Sequence, residues 1–198
     1  GLAFFLVDSS AVSNIAKGNQ SVGSFGGSLG YSCGNSKNPP DGILGGYIGL
    51  GIDEYGNFAN KGDNTNTGVS TGFTPNLVTL RGAGNTNWKW LSSNYPSTFP
   101  STTTSANQIT AVQQTCTNGQ FYDINNKRFV TTPSTFLNYP WLVSKTLGSS
   151  NPIYSQESVS RPTRDAAKPI TYNLKITQDG LLSFSYSYNG GQETQVLQ

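Results

Sequence analysis

The cleanest alternation of apolar and polar positions lies near the C-terminal end of the sequence. Ile170, Tyr172, Leu174 and Ile176 alternate with Thr171, Asn173, Lys175 and Thr177. Leu182, Phe184, Tyr186 and Tyr188 then alternate with Ser183, Ser185 and Ser187. A period of two is that of a strand with one face on a core and the other in water. Gln178-Asp179-Gly180 predicts a hairpin turn between the two runs, and Asn189-Gly190-Gly191 a further turn. The stretch Gly46–Asp63 begins in the same way. Ile48, Leu50 and Ile52 predict one bulky face, while Gly49 and Gly51 predict an opposite face bare enough for close approach. The opening run Leu2–Val7 is apolar at every position, which predicts a central strand covered on both faces. Asn76–Arg81 predicts another strand, and Phe129-Val130 and Trp141-Leu142-Val143 short ones. With no amphipathic helix, repeat or linker in the pattern, the chain reads as one all-β domain over 1–198.

Composition narrows the class. Charged residues make up 11% of the 198, against about 25% in an average soluble domain. With 23 glycines and 12% aromatics, this predicts a secreted or surface β protein of short strands, many turns and a neutral polar exterior. A net charge of +2 without a basic run argues against nucleic acid as a partner. No apolar run reaches the length of a membrane span, and LAFFLV is too short for a signal-peptide core. Any targeting signal is expected outside this sequence. There is no histidine, which removes Ser-His-Asp and Cys-His catalysis in their usual forms and every His-ligated metal site. Cys33 and Cys116 are not in a CxxC pair, leaving either two thiols or one disulfide between long loops. Trp88, Trp90 and Trp141 all fall in the least patterned stretch, near 85–154. They suit core packing or a sugar-stacking platform.

Candidate chemistry gathers where the Gly46 strand ends. Asp53 and Asn57 offer side-chain oxygens, Tyr55 a backbone carbonyl, and Asp63 a second carboxylate. Such a row suits a hard cation such as calcium. The same residue types also make ordinary strand-end turns. Ser24–Tyr31 (SFGGSLGY) is a glycine-rich turn, either a tight turn with positive φ or a backbone whose N–H groups a ligand can touch. Asn19-Gln20-Ser21 is a glycosylation sequon.

Four stretches in this order resemble the L-type lectins, the legume-lectin-like domains with a concanavalin A-like jelly roll. GLAFFLV is similar to the family strand DGLAFFL, and SFGGSLGY to its glycine-rich sugar loop GGxLG. GYIGLGIDEYGN is similar to its metal strand V-x-V-E-x-D-x-[YF]-x-N, and ITYNLKITQDGLLSFSYSYNG to its late hairpin. The variants GxDEYGNF and a cysteine after the glycine loop are closest to lectin-like modules of bacterial surface adhesins. The resemblance covers the first eighty residues or so and the last thirty, leaving 85–154 as an unmatched insertion. It implies an all-β jelly-roll sandwich of two antiparallel sheets. It implies calcium held by Asp53, Tyr55, Asn57 and Asp63, although the family spacing puts the last ligand at Gly62, one residue earlier. It implies glycan or polysaccharide bound by Asn57, the Tyr55 ring and the Gly26-Gly27 loop, at the cell surface and as part of a larger adhesin. No manganese is expected, because Gly51 stands where the family has glutamate and there is no histidine. The family's sugar-binding aspartate would precede Gly1, and its closing strand would follow Gln198. A sandwich without those strands is expected to expose edges and apolar faces and to be poorly stable. The jelly roll also hosts glycoside hydrolases, whose paired carboxylates sit roughly 5–9 Å apart. Asp53 and Glu54 are adjacent and would point to opposite faces, so a binding module is expected, not an enzyme. The competing expectation is a structural module that has lost sugar recognition.

Overall fold

The computed structural model describes residues 1–10, 22–34, 40–59, 74–147 and 168–198. Within them the strands are β1 (Leu2–Val7), β2 (Gly46–Asp53), β3 (Leu77–Arg81), β4 (Tyr122–Asp123), β5 (Arg128–Phe129), β6 (Trp141–Thr146), β7 (Ile170–Ile176), β8 (Leu182–Tyr188) and β9 (Thr194–Leu197). Two short helices, α1 (Trp88–Asn94) and α2 (Ser105–Asn118), stand between β3 and β4. The fold is mostly antiparallel sheet. One sheet has the order β1-β2-β3-β6, a second β7-β8-β9, and β4 pairs with β5.

The register of the first sheet explains its two faces. Leu50 sits opposite Phe4 and Leu80, and Ile52 opposite Leu2 and Val78. Cross-strand partners share a face, so these side chains form one apolar surface. Leu50, Ile52 and Val78 are buried in a cluster with Phe184, Tyr186 and Leu197, against which Tyr172 and Leu174 pack. The first two sheets therefore share a core. Burial contributes about 1.5–3 kcal/mol for each such side chain. The β7–β8 hairpin pairs Tyr172 with Tyr186 and Leu174 with Phe184, as the alternation required. Its turn closes with Gly180 at φ 86°.

The expectation for β1 is corrected. It is an edge strand, and Leu2, Phe4 and Leu6 are exposed although they share the face of Leu50 and Ile52. Nothing among the described residues covers that part of the face. The other row, Phe5 and Val7, packs on the opposite side against a cluster built on Tyr31, Phe58 and Tyr139.

The absence of helices is corrected too. Asn87 caps α1, its Oδ1 accepting from the Lys89 and Trp90 amides. Gly119, at φ 65°, ends α2. The buried face of α2 is Ala111, Val112, Thr115 and Cys116, too small and too polar in part to stand out in the sequence. The two helices enclose a third core in which the Phe121 ring meets Tyr95, Phe99 and Phe136 edge-on at 4.7, 5.1 and 4.9 Å. Trp88 and Trp90 pack against this cluster. Trp141 instead lies exposed on β6, donating from Nε1 to Ser144 Oγ at 2.9 Å. Cys33 and Cys116 form a disulfide spanning 83 positions. It ties the last turn of α2 to the chain just after the glycine-rich turn.

Candidate functional site

The bare face of β2 is filled by the protein's own rings. A methyl group on Gly49 would lie 2.6 Å from the Tyr31 ring, and one on Gly51 2.2 Å from the Phe58 ring. The close approach expected of these glycines is real, and aromatic side chains make it. Arg81, buried and opposite Gly49 in the register, holds Phe58 in place. Its Nε donates to the Phe58 carbonyl at 2.8 Å and its Nη1 to the Tyr139 carbonyl at 2.9 Å. Its guanidinium lies 5.2 Å from the Phe58 ring centre. Desolvation lowers the Arg81 pKa to about 10, with Tyr31 opposing that shift. Burial in turn pushes the Tyr31 hydroxyl well above the ordinary tyrosine range, against the pull of Arg81.

Arg81 thereby supports the loop that follows β2. Asp53 is 2% exposed. Its Oδ1 accepts from the Tyr55 amide at 3.2 Å and its Oδ2 from the Phe58 amide at 2.5 Å. Its carbonyl accepts from the Asn76 amide at 3.1 Å. Gly56 takes φ 101°, and any side chain there would strike the Thr74–Pro75 backbone at 2.3 Å. The result is a tight loop, with Tyr55 43% exposed at its rim and Asn57 half-buried beside it.

The glycine-rich turn forms a short 3-10 turn at Gly26–Ser28, with Leu29 in the left-handed region at φ 48°. Ser28 Oγ donates to the Cys33 carbonyl at 3.0 Å, which steadies the turn from inside. Gly26 is exposed and Gly27 half-buried. After the 3-10 turn, Gly30 and Tyr31 continue as turn. A methyl group on Gly1 would lie 3.1 Å from Leu29 Cδ2 and 3.3 Å from Asp53 Cα. The start of β1, the glycine-rich turn and the end of β2 therefore meet at one end of the first sheet, although they are far apart in sequence.

Calcium does not find its cage in the described residues. The ion takes about 6–8 oxygens. Here Asp53, Tyr55 and Asn57 bring one donor group each, and both Asp53 oxygens already accept backbone N–H groups. No group of three or more His, Cys, Asp or Glu side chains suited to a metal occurs among the described residues. Asp63 lies outside them, as does the Asn19 sequon. The loop shape is held by hydrogen bonds to Asp53 and by Arg81. Sequence reasoning missed Arg81, because its role appears only when β3 is paired with the glycine face of β2. The chain matches no protein-family model, no curated protein and no solved structure.

Proposed function

We propose that this chain is a carbohydrate-binding module of a secreted or surface protein, taking a neutral glycan at the Asp53–Asn57 end of the first sheet. The observation that carries the reading is the meeting of Gly1, Leu29 and Asp53, two residues before an exposed Tyr55. It supports the likeness to L-type lectins, whose sugar pocket joins the same three stretches, and with it a jelly-roll arrangement of the two sheets. In this reading the Tyr55 ring covers an apolar C–H face of the sugar. The Asn57 amide supplies both a donor and an acceptor for hydroxyls. The Gly26-Gly27 backbone adds N–H donors where no side chain stands in the way. The calcium expectation rests on Asp63 joining Asp53, Tyr55 and Asn57.

The test is a glycan array on the wild type and on Asn57→Ala, each in calcium and again in chelator. The reading expects glycan binding by the wild type and at least a tenfold loss in Asn57→Ala, roughly 1.4 kcal/mol, with the melting temperature unchanged. Loss of binding in chelator adds calcium to the site, and binding kept in chelator removes it. Equal binding by both proteins would refute the residue assignment. One observation favours a second reading, a structural module: each oxygen of the Asp53 carboxylate already accepts an amide of its own loop. An array blank in both conditions selects that reading.

A further inference from the structure

A second concavity lies at the other end of the first sheet. Leu2 pairs with Ile52 at the Asp53 end, and Val7 with Gly46 at the far end, roughly 20 Å away at strand rise. There a cavity of about 640 Å³ is lined by Leu6, Asp8, Leu44, Tyr47, Asn85 and Trp90, among others. Its volume falls within the range of small-molecule sites, about 300–1,000 Å³.

Two of its N–H donors have no partner among the described residues. Asn85 Oδ1 accepts from the Gly45 amide at 2.8 Å, which orients the side chain and leaves Nδ2 as a donor with no partner among the described residues. The Asp8 amide donates to the Gly45 carbonyl at 2.8 Å, and Asp8 Oδ1 already accepts from the Ser10 amide at 2.7 Å and the Ser10 hydroxyl at 2.5 Å. Trp90 is braced from behind by Tyr95 at 5.5 Å and Phe136 at 6.4 Å. Its indole N–H has no acceptor among the described residues. Tyr47 is 69% exposed, the most exposed of the large apolar or aromatic side chains in the described chain.

We infer that this cavity is a second binding site, for a neutral saccharide of one or two rings. Two aromatic side chains, one of them rigidly backed, suit the C–H faces of a pyranose. Two N–H donors, Asn85 Nδ2 and Trp90 Nε1, both unengaged among the described residues, suit its hydroxyls. Among the described residues that line it there is no lysine or arginine and the one charge is negative, so these residues favour a neutral ligand over a phosphate or carboxylate. The site is separate from the Asp53–Asn57 loop and does not depend on the proposed function there.

The test titrates the full chain with glucose, galactose, mannose, N-acetylglucosamine, maltose and cellobiose up to about 50 mM, reading tryptophan emission and saturation-transfer NMR. At least one sugar should shift the emission in wild type and in Asn57→Ala alike. Tyr47→Ala, an exposed position, should weaken that sugar about five- to tenfold with an unchanged melt. Asn85→Asp keeps the acceptor for the Gly45 amide, removes the Nδ2 donor, and should weaken it further. Three results would overturn the proposal: no sugar giving a signal, equal affinity in Tyr47→Ala and wild type, or tetramethylammonium competing as well as the best sugar. The last would point to a cation site between Asp8 and the rings. A signal abolished by Asn57→Ala would assign the binding to the other end and also overturn it.

Discussion

The two ends of the four-stranded sheet use their polar groups in opposite ways. At the Asp53 end, the carboxylate that heads the sequence motif accepts two amides of its own loop, and the surface chemistry falls to Tyr55 and Asn57. At the Gly46 end no motif announces a site, yet Asn85 and Trp90 hold N–H groups without partners among the described residues, beside a cavity of about 640 Å³. A motif reports residue types in order. Whether those residues are open to a ligand depends on what the fold has already bonded to them.

The largest effect should come from removing what both ends share. The disulfide joins the chain beside the glycine-rich turn to α2, and α2 belongs to the helical unit that backs Trp90. Replacing Cys33 and Cys116 by serine opens a loop spanning 83 positions and should cost about 2–5 kcal/mol. Chemical denaturation would show it. An unchanged midpoint would mean that the helical region is held by its aromatic core alone.

A smaller change separates the ends. Asp53→Ala leaves the buried amide of Phe58 and the part-buried amide of Tyr55 without their acceptor and should cost about 2–4 kcal/mol. It should abolish glycan binding at that end while Trp90 emission, some 20 Å away by strand rise, stays as in wild type. A shift in both signals would show that the ends are coupled.

Asp123 sharpens the comparison because it caps a loop in the same way, between β4 and β5. It accepts from the Asn125 and Asn126 amides at 3.0 and 3.1 Å and from Asn126 Nδ2 at 2.7 Å. Burial raises its pKa, but these bonds and nearby Arg128 outweigh that and hold the carboxyl below its ordinary value. A lowered carboxylate stabilises the fold above the unfolded-state pKa, about 3.9, and that stabilisation fades as pH falls through the folded value. Asp123→Asn should therefore lower stability at neutral pH and flatten the loss of stability below about pH 4, so that the two proteins converge in acid. Acid titration by circular dichroism would reveal it, and an identical acid limb would contradict it. Glycan binding should be untouched.

What the sequence shows and hides follows from where information sits along a chain. β2, β7 and β8 were legible because each has one buried face, so alternation encodes it directly. For β1 the apolar run encodes a strand but not its place at the edge of the sheet. Whether Leu2, Phe4 and Leu6 are covered depends on how far the second sheet reaches, which is written in other strands. The helices had local signals, Asn87 as a cap and Gly119 as a stop. Their faces lacked contrast, since threonine and glutamine in α2 dilute the helical period. The strand-end row at Asp53–Asn57 was legible as residues, while the bonding that occupies Asp53 was not. Arg81 and the Asn85–Trp90 wall were invisible for the same reason: each acts through a partner on another strand or loop.

The central claim is that glycan binds at the Asp53–Asn57 end of the sheet. Amide chemical-shift mapping with the strongest glycan from the array tests it most directly. The account predicts that the largest shifts fall at 26–29 and 53–58, and that they vanish in Asn57→Ala. Largest shifts elsewhere, with 26–29 and 53–58 unmoved, would contradict it.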